Sequence, residues 1–416
     1  MANRKPGQYA LSEISIINYA GKAIDIKASM VEMDIQSDLF NTCLHGTITI
    51  KDSGDFQQNV PLVGEEQLKI SYQMDQESNK IEKTFYIYNL VDKIKRGEDS
   101  FEYKLNFCSI ELLNNRSTTL SESFFKSSPD SIVKKCLSRI SNKNITIEES
   151  ANTIDYIAPS ISPFEVINYM TSRTISKKYP NTGTYVFYED MKEFNFKTID
   201  SLIVAPPVAT YMFNHKNQTN ISIESEFYSI TKWEVTQHYD VLDSLNKGAY
   251  GVTTRILDPF TRDYGVKTFD ILNVDDYKKI EHIDKDVKNS LHTSKFKFTT
   301  ASSAFIKFRM VYGNEDKENI MGARYSQINR ITNGYKMVAQ IPGNDDLRTG
   351  DIITLNYLNY SKDEKNSMDL FLQGNYIIVA MRHFYTPSEY HIALELVKDS
   401  YHNNHEDYDR TNLIGT

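Results

Sequence analysis

Tyr86-Ile87-Tyr88-Asn89-Leu90-Val91 and Tyr376-Ile377-Ile378-Val379-Ala380-Met381 are the two stretches on which the reading of this sequence turns. Each opens on a tyrosine, is rich in β-branched or aromatic residues, and leads through a short polar hairpin into an alternating strand. That strand carries Phe101, Tyr103, Leu105 and Phe107 in the first case and Tyr390, Ile392, Leu394 and Leu396 in the second. The correspondence continues upstream. Leu62-Val63-Gly64-Glu65 precedes a strand with Leu68, Ile70 and Tyr72, and Leu347-Arg348-Thr349-Gly350-Asp351 precedes one with Ile353, Leu355 and Tyr357. Alternation alone is shared by any two antiparallel segments. The common order of features (glycine and acid at a turn, strand, loop, tyrosine-led strand, hairpin, strand) is what indicates an internal duplication.

Outward from these stretches, the chain divides. Ile14, Ile16, Ile24, Ile26, Ala28, Met30, Ile48 and Ile50 alternate with polar neighbours, and Asp52-Ser53-Gly54-Asp55 and Arg96-Gly97-Glu98-Asp99 read as turns. Residues 1–115 are therefore expected to form a first antiparallel β-barrel domain. The pattern then turns helical. Ser128-Pro129 starts one helix, with Ile132, Val133, Cys136, Leu137 and Ile140 as its apolar stripe; Ser162-Pro163-Phe164-Glu165 starts another with a capping box. A hairpin follows, Tyr185–Tyr188 against Phe194–Lys197, so 116–222 is expected as an α+β insertion. Residues 223–255 and 317–400 make the second β-barrel domain, 256–316 a small inserted domain and 401–416 a flexible tail. Within the second unit the spacing predicts a helix over 317–335, with Met321, Tyr325, Ile328, Ile331 and Tyr335 along its apolar face. The fold class is mainly β with α+β insertions.

Composition narrows function. A chain of 416 residues exceeds one ordinary core and implies two to four domains. With 40% hydrophobic and 25% charged residues it is a folded globular chain, and no apolar run approaches the roughly 20 residues that cross a bilayer. The N-terminus leads into alternating strand, so no signal peptide is expected. Cys43, Cys108 and Cys136 form no C-x-x-C pair, which suggests buried thiols in a reducing compartment. A net charge of -8 without a clustered basic run argues against a nucleic-acid reader. Twenty-seven tyrosines and 21 phenylalanines against one tryptophan suit strands and interfaces.

No catalytic motif is present: G-x-S-x-G, H-E-x-x-H, Walker A and G-x-G-x-x-G are all missing. No catalytic, cofactor-binding or metal-binding residue is therefore expected, and the chain reads as a non-enzyme. His402, His405, Glu406 and Asp407 could share a helical face around a metal, but a solvated tail is the better account. His215, His238 and His383 neighbour aromatics and read as packed or interface residues. The acid pairs Glu65-Glu66 and Asp345-Asp346 lie at matching turns of the two copies. They are either solvated turn residues or groups facing a ring's lumen or its neighbouring subunit, where negative charge would repel DNA phosphates. Gly64 and Gly350 read as turn positions needing positive φ.

The order of β unit, helix-rich insert and second β unit resembles the central baseplate hub subunit of T-even-like contractile-tailed phages. Its wider relatives are late-control-type hub proteins and the N-terminal part of type VI secretion spikes. The resemblance rests on Tyr86 to Phe107, on Ser162-Pro163-Phe164-Glu165-Val166-Ile167 with the hairpin Tyr185 to Leu202, and on Leu347 to Val397; it covers about 10–400, with 256–324 outside what aligns. It implies two tail-tube-like β-barrel domains with two smaller ones, in a homotrimeric ring of pseudo-six-fold symmetry. The implied partners are a trimeric spike, a tail-tube or tube-initiator hexamer, baseplate wedges and a tape measure. DNA would pass without specific binding. The implied location is the virion tail baseplate, after assembly in the host bacterial cytoplasm. A receptor- or glycan-binding tail protein is the alternative, and a cell-wall hydrolase fused to a structural part ranks last.

Overall fold

The computed structural model describes residues 6–52, 62–64, 66–74, 80–97, 100–213, 226–238, 240–257, 264–271, 273–283, 320–359, 367–368 and 372–400. The Asp52–Asp55 turn, Glu65, His215, most of 256–316 and the tail cluster of His402, His405, Glu406 and Asp407 lie wholly or largely outside the described residues.

The first β unit contains β1 (Ala10–Ile17), β2 (Ala23–Asp25), β3 (Met30–Asp38), β4 (His45–Asp52), β5 (Gln67–Gln73), β6 (Ile81–Lys95) and β7 (Phe101–Cys108). An α+β segment follows: α1 (Ile110–Ser117), β8 (Ser123–Ser127), α2 (Pro129–Leu137), β9 (Ile145–Ile147), β10 (Ile154–Ile157), α3 (Pro163–Arg173), β11 (Tyr185–Glu189), β12 (Phe194–Thr198) and α4 (Ile199–Ile203). Then come β13 (Ala209–Phe213), β14 (Ser229–Ile230), β15 (Lys232–Gln237), α5 (Val241–Asn246), β16 (Gly251–Leu257), β17 (Tyr264–Asp270), α6 (Val274–Tyr277) and α7 (Met321–Asn333). The chain closes with β18 (Tyr335–Pro342), β19 (Ile352–Asn356), β20 (Leu358–Asn359), β21 (Ser367–Met368), β22 (Gly374–Tyr385) and β23 (Tyr390–Lys398).

The fold is mainly β, and its two β units are joined in one curled 14-stranded sheet. Along the first unit the order is β3-β4-β7-β6-β5-β1-β2; in the second it is β15-β18-β23-β22-β19-β13-β14. The seam is an antiparallel pairing of β3 with the second half of β22, Met33 opposite Tyr385 through Asp38 opposite Ala380. One hydrophobic core runs behind both units, from Ile14, Phe85 and Phe107 to Tyr376, Ile392 and Leu394. Ala209–Phe213, inside the span expected to be inserted, joins this sheet through a parallel pairing with β19.

The inserted helices start as their sequences dictate. Ser162 caps α3 with Pro163 at the first turn, and both its backbone N–H and its hydroxyl donate to Glu165 at 2.8 Å. The helices α2 and α3 bury Ile132, Val133, Val166, Ile167 and Met170 against the stacked rings of Phe187 and Phe194. Helix α7 corrects the expected apolar stripe. It is shorter than 317–335, Ile328 is 37% exposed, and the buried face carries Arg324, Ser326, Gln327 and Asn329. Periodicity failed because this helix is held by polar groups spent on backbone carbonyls. The Arg324 guanidinium donates to the carbonyls of Ser172, Thr174, Thr182 and Gly183, and Gln327 donates to Asp200 at 2.9 Å. The helix thereby ties the inserted segment to the second β unit. Gly322 leaves room for Phe269 of the β16–β17 hairpin, where an added Cβ would lie 2.6 Å from the Phe269 Cβ.

Candidate functional site

The two β units share their pairing scheme residue by residue. In the first, Gln67, Tyr86, Cys108, His45 and Gln36 lie side by side across five strands. In the second, Ile352, Ile377, Val397, Lys336 and Gln237 do the same. The β-bulges that follow coincide: β6 shifts register between Ile87 and Asn89, and β22 between Ile378 and Ala380. The Ile87 N–H donates to the Glu66 carbonyl at 2.9 Å, and the Ile378 N–H to the Asp351 carbonyl, also at 2.9 Å. The doubled topology is therefore real, with one correction. Tyr376 is the counterpart of Phe85, so the sequence match of Tyr86 with Tyr376 was one residue out. Phe85 and Tyr376 are both buried, at 2% and 0% exposure, whereas a one-residue slip would place their side chains on opposite faces.

The turns that open β5 and β19 are likewise equivalent. Gly64 and Gly350 both take positive φ, 97° and 93°, the conformation a side chain disfavours. Glu66 is fully buried, and its carboxylate accepts the N–H groups of Val63 at 2.6 Å and Gly64 at 2.9 Å. Asp351 accepts the Arg348 N–H at 2.8 Å, and burial raises its pKa. The acid structurally matched to Glu66 is thus Asp351, not Asp345 or Asp346. A capped carboxylate closing a turn is what these two acids supply. Asp346 alone of the four acids singled out from the sequence is an exposed carboxylate among the described residues; Glu65 is not described.

Asp345 sits at the base of a buried tyrosine cluster. It accepts the hydroxyls of Tyr72 at 3.2 Å and Tyr390 at 3.0 Å. Tyr385 donates to Tyr72 at 3.0 Å, and the rings of Tyr385 and Tyr390 stack at 4.5 Å. Because the Tyr390 hydroxyl donates to Asp345, it accepts from His383 Nδ1 at 2.7 Å, which fixes the imidazole tautomer. Burial, with Lys83 nearby, pushes the His383 pKa down to about 4. Tyr9 completes the cluster by donating to the Thr386 carbonyl at 2.6 Å. These residues come from β5 in one unit and from β22, β23 and the turn after β18 in the other, so the cluster clamps the seam. Sequence reading found Asp345 and His383 but not what they hold, since alternation reveals burial and not the partner strand. His238 lies edge-on to Tyr335 at 5.4 Å.

Two strand edges complete the site. β6 pairs with β5 only up to Tyr86, and β7 occupies its other side along Tyr86–Lys95. Among the described residues, no strand lies on the β5 side of Asn89–Lys95. β15 pairs with β18, and no described strand lies on its other side. Sequence reading missed both; the available signal was the charged second half of β6 and the short polar run Lys232–Gln237. Cys43, Cys108 and Cys136 are buried free thiols, with burial pushing Cys108 up to about 11 and Cys136 up to about 12. Among the described residues, no group of three or more His, Cys, Asp or Glu is placed to hold a metal ion, and no helix is long and apolar enough to cross a membrane.

The chain's architecture is that of tail proteins. It superposes on the tail protein of Neisseria meningitidis MC58 with a TM-score of 0.55 at 12% identity, covering 94% of this chain and 97% of that one. It superposes on the 43 kDa tail protein of prophage MuSo2 from Shewanella oneidensis with a TM-score of 0.54 at 7% identity, covering 93% and 98%. The fold is thus shared with these two tail proteins over nearly the whole length of each chain. No family model and no curated protein matches the sequence.

Proposed function

We propose that this chain is a non-enzymatic baseplate subunit of a contractile tail, acting as a central hub. Three copies close into a ring in which six similar β units surround a bore. One face of the ring seats a trimeric spike, the other starts the hexameric tube, and wedges pack around it. Tape measure and DNA pass through the bore, and Asp346 faces it or the neighbouring subunit. In this reading β1–β7 together with β13–β15, β18, β19, β22 and β23 build the ring, and the α+β segment Ile110–Ile203 and the β16–β17 hairpin are carried on it. The virion tail is its location.

The observation that carries the proposal is the doubled β unit with matched bulges and matched capped turns. A structural repeat lets a three-fold object present six equivalent sites to a six-fold partner. The tail-protein fold supports the same reading. The mass of the purified chain in solution tests it. Three copies of a 48.0 kDa chain give a species of about 144 kDa. A protein that stays at single-chain mass at high concentration, with a spike protein present, would overturn it.

A further inference from the structure

The seam inside one chain is a template for the contact between chains. At the seam, the second half of β22 is covered by β3 on the side it shares with β19. The equivalent half of β6, Asn89–Lys95, lies on the side β6 shares with β5 and carries no described strand. The equivalent of β3 is β15, because both flank the strand next to the final strand of their unit. Its outer edge likewise carries no described strand. Among the described residues, each chain thus has one paired and one unpaired copy of the same two complementary edges.

We propose that β15 of one chain pairs antiparallel with the second half of β6 of a second copy, in the register of the β3–β22 seam. This deepens the ring reading and rests on it. Carrying the seam's pairs across the repeat gives the register. Arg382 opposite Gln36 becomes Val91 opposite Gln237, Phe384 opposite Asp34 becomes Ile94 opposite Glu234, and Tyr385 opposite Met33 becomes Lys95 opposite Trp233. β6 has a second bulge between Val91 and Ile94, and β15 has one between Val235 and Gln237, so the extra residues fall opposite each other.

Burial follows the same rule. Met33, with β22 beside it, is 1% exposed; Trp233, at the matching place without a described strand beside it, is 42% exposed. Ile94 is 45% exposed although it lies in a strand whose counterpart is covered. Charge is complementary as well. At the seam Arg382 donates to Asp34 at 3.1 Å; the transferred register sets Glu234 against the Lys93–Lys95 segment. An exposed edge is the feature that β proteins otherwise block or pair. A contact joining two different edges is head-to-tail, and it closes a ring where the rotation permits.

Paired strands hold opposite Cα atoms about 4.5–5.5 Å apart, within disulfide reach, whereas residues out of register are not. The test is the full chain carrying Ile94→Cys and Glu234→Cys, oxidised and run without reductant. The native cysteines are buried and do not compete. The expected result is a covalent ladder that stops at three chains. The shifted pair Ile94→Cys with Lys232→Cys is expected to link at least about fivefold less, because its Cα separation exceeds bridging distance. A trimer by mass whose 94–234 pair does not link, or links no better than the shifted pair, overturns the edge pairing while leaving the ring reading intact. A ladder that continues past three chains supports the edge pairing and overturns three-fold closure. A single-chain mass without links overturns both.

Discussion

Tyr385 donates a hydrogen bond to Tyr72 across the seam at 3.0 Å, although 313 residues separate them in the chain. Both side chains are essentially removed from solvent, so their hydroxyls depend on each other and on Asp345. Removing that acceptor strands two buried phenols, at a cost of about 1–3 kcal/mol for each unsatisfied group. Asp345→Ala should therefore lower stability in urea unfolding by about 2–5 kcal/mol, whereas Asp346→Ala, at an exposed position, should stay within about 0.5 kcal/mol. Equal effects of the two would show that the cluster does not hold the seam.

His383 sets an acid limb. Its imidazole is buried, Nδ1–H is used by Tyr390, and Nε2 has no partner among the described residues. The folded-state pKa of about 4 lies below the ordinary 6.5, so the unfolded chain takes up the proton first. The resulting stability is full above about pH 6.5 and is lost as pH falls towards 4, amounting to about 3 kcal/mol. Unfolding midpoints between pH 4 and 7 measure it. His383→Gln should flatten that limb; an unchanged slope would assign the acid sensitivity to other groups.

Gly46 in β4 faces Phe107, and an added Cβ would stand 2.0 Å from the Asp34 carbonyl oxygen and 2.6 Å from the Phe107 ring. The backbone oxygen belongs to the β3–β4 ladder and cannot swing away. Gly46→Ala should therefore cost about 1–3 kcal/mol or more by overpacking. Calorimetry would reveal it as a lowered Tm.

Lys143 sits between Glu111 and Glu189, 2.8 and 2.6 Å from them, and both carboxylates are almost fully buried. Burial opposes the lysine's charge, but the two carboxylates outweigh it and raise its pKa. Glu189 also accepts the Leu44 N–H at 3.0 Å, which joins the inserted segment to the first β unit. Lys143→Met leaves two buried acids facing each other without a cation and should cost about 3–5 kcal/mol. Limited proteolysis should then show the inserted segment opening first.

What could be read from the sequence follows from where its signals are local. The capping box at Ser162, the hairpin at Tyr185 and the repeated order of turn and strand are short-range, and each is found in the structure. The one-residue misregistration of the repeat arose because Tyr86 and Tyr376 look alike, while the pairing scheme makes Phe85, opposite Leu68, the counterpart of Tyr376, opposite Ile353. Helix α7 was misjudged because its buried face is polar, which no apolar periodicity reveals. The pairs Glu65-Glu66 and Asp345-Asp346 read as matching turns, but the ladder matches Glu66 with Asp351: Glu66 caps its own turn, while Asp345 takes its role from Tyr72, 273 residues away. The fold class was therefore legible, whereas the site's chemistry depended on contacts made hundreds of residues away.

The two β units are alike in ladder but not in filling: Gly46 of the first occupies the place that Met337 holds in the second, opposite Phe107 and Leu396 respectively. Each unit fits its side chains to its own facing strand. Putting β4 in the place of β18 would set a glycine before Leu396 and leave a void; the reverse exchange would press a methionine on Phe107. The symmetry is one of backbone, and the side chains make the two units non-interchangeable.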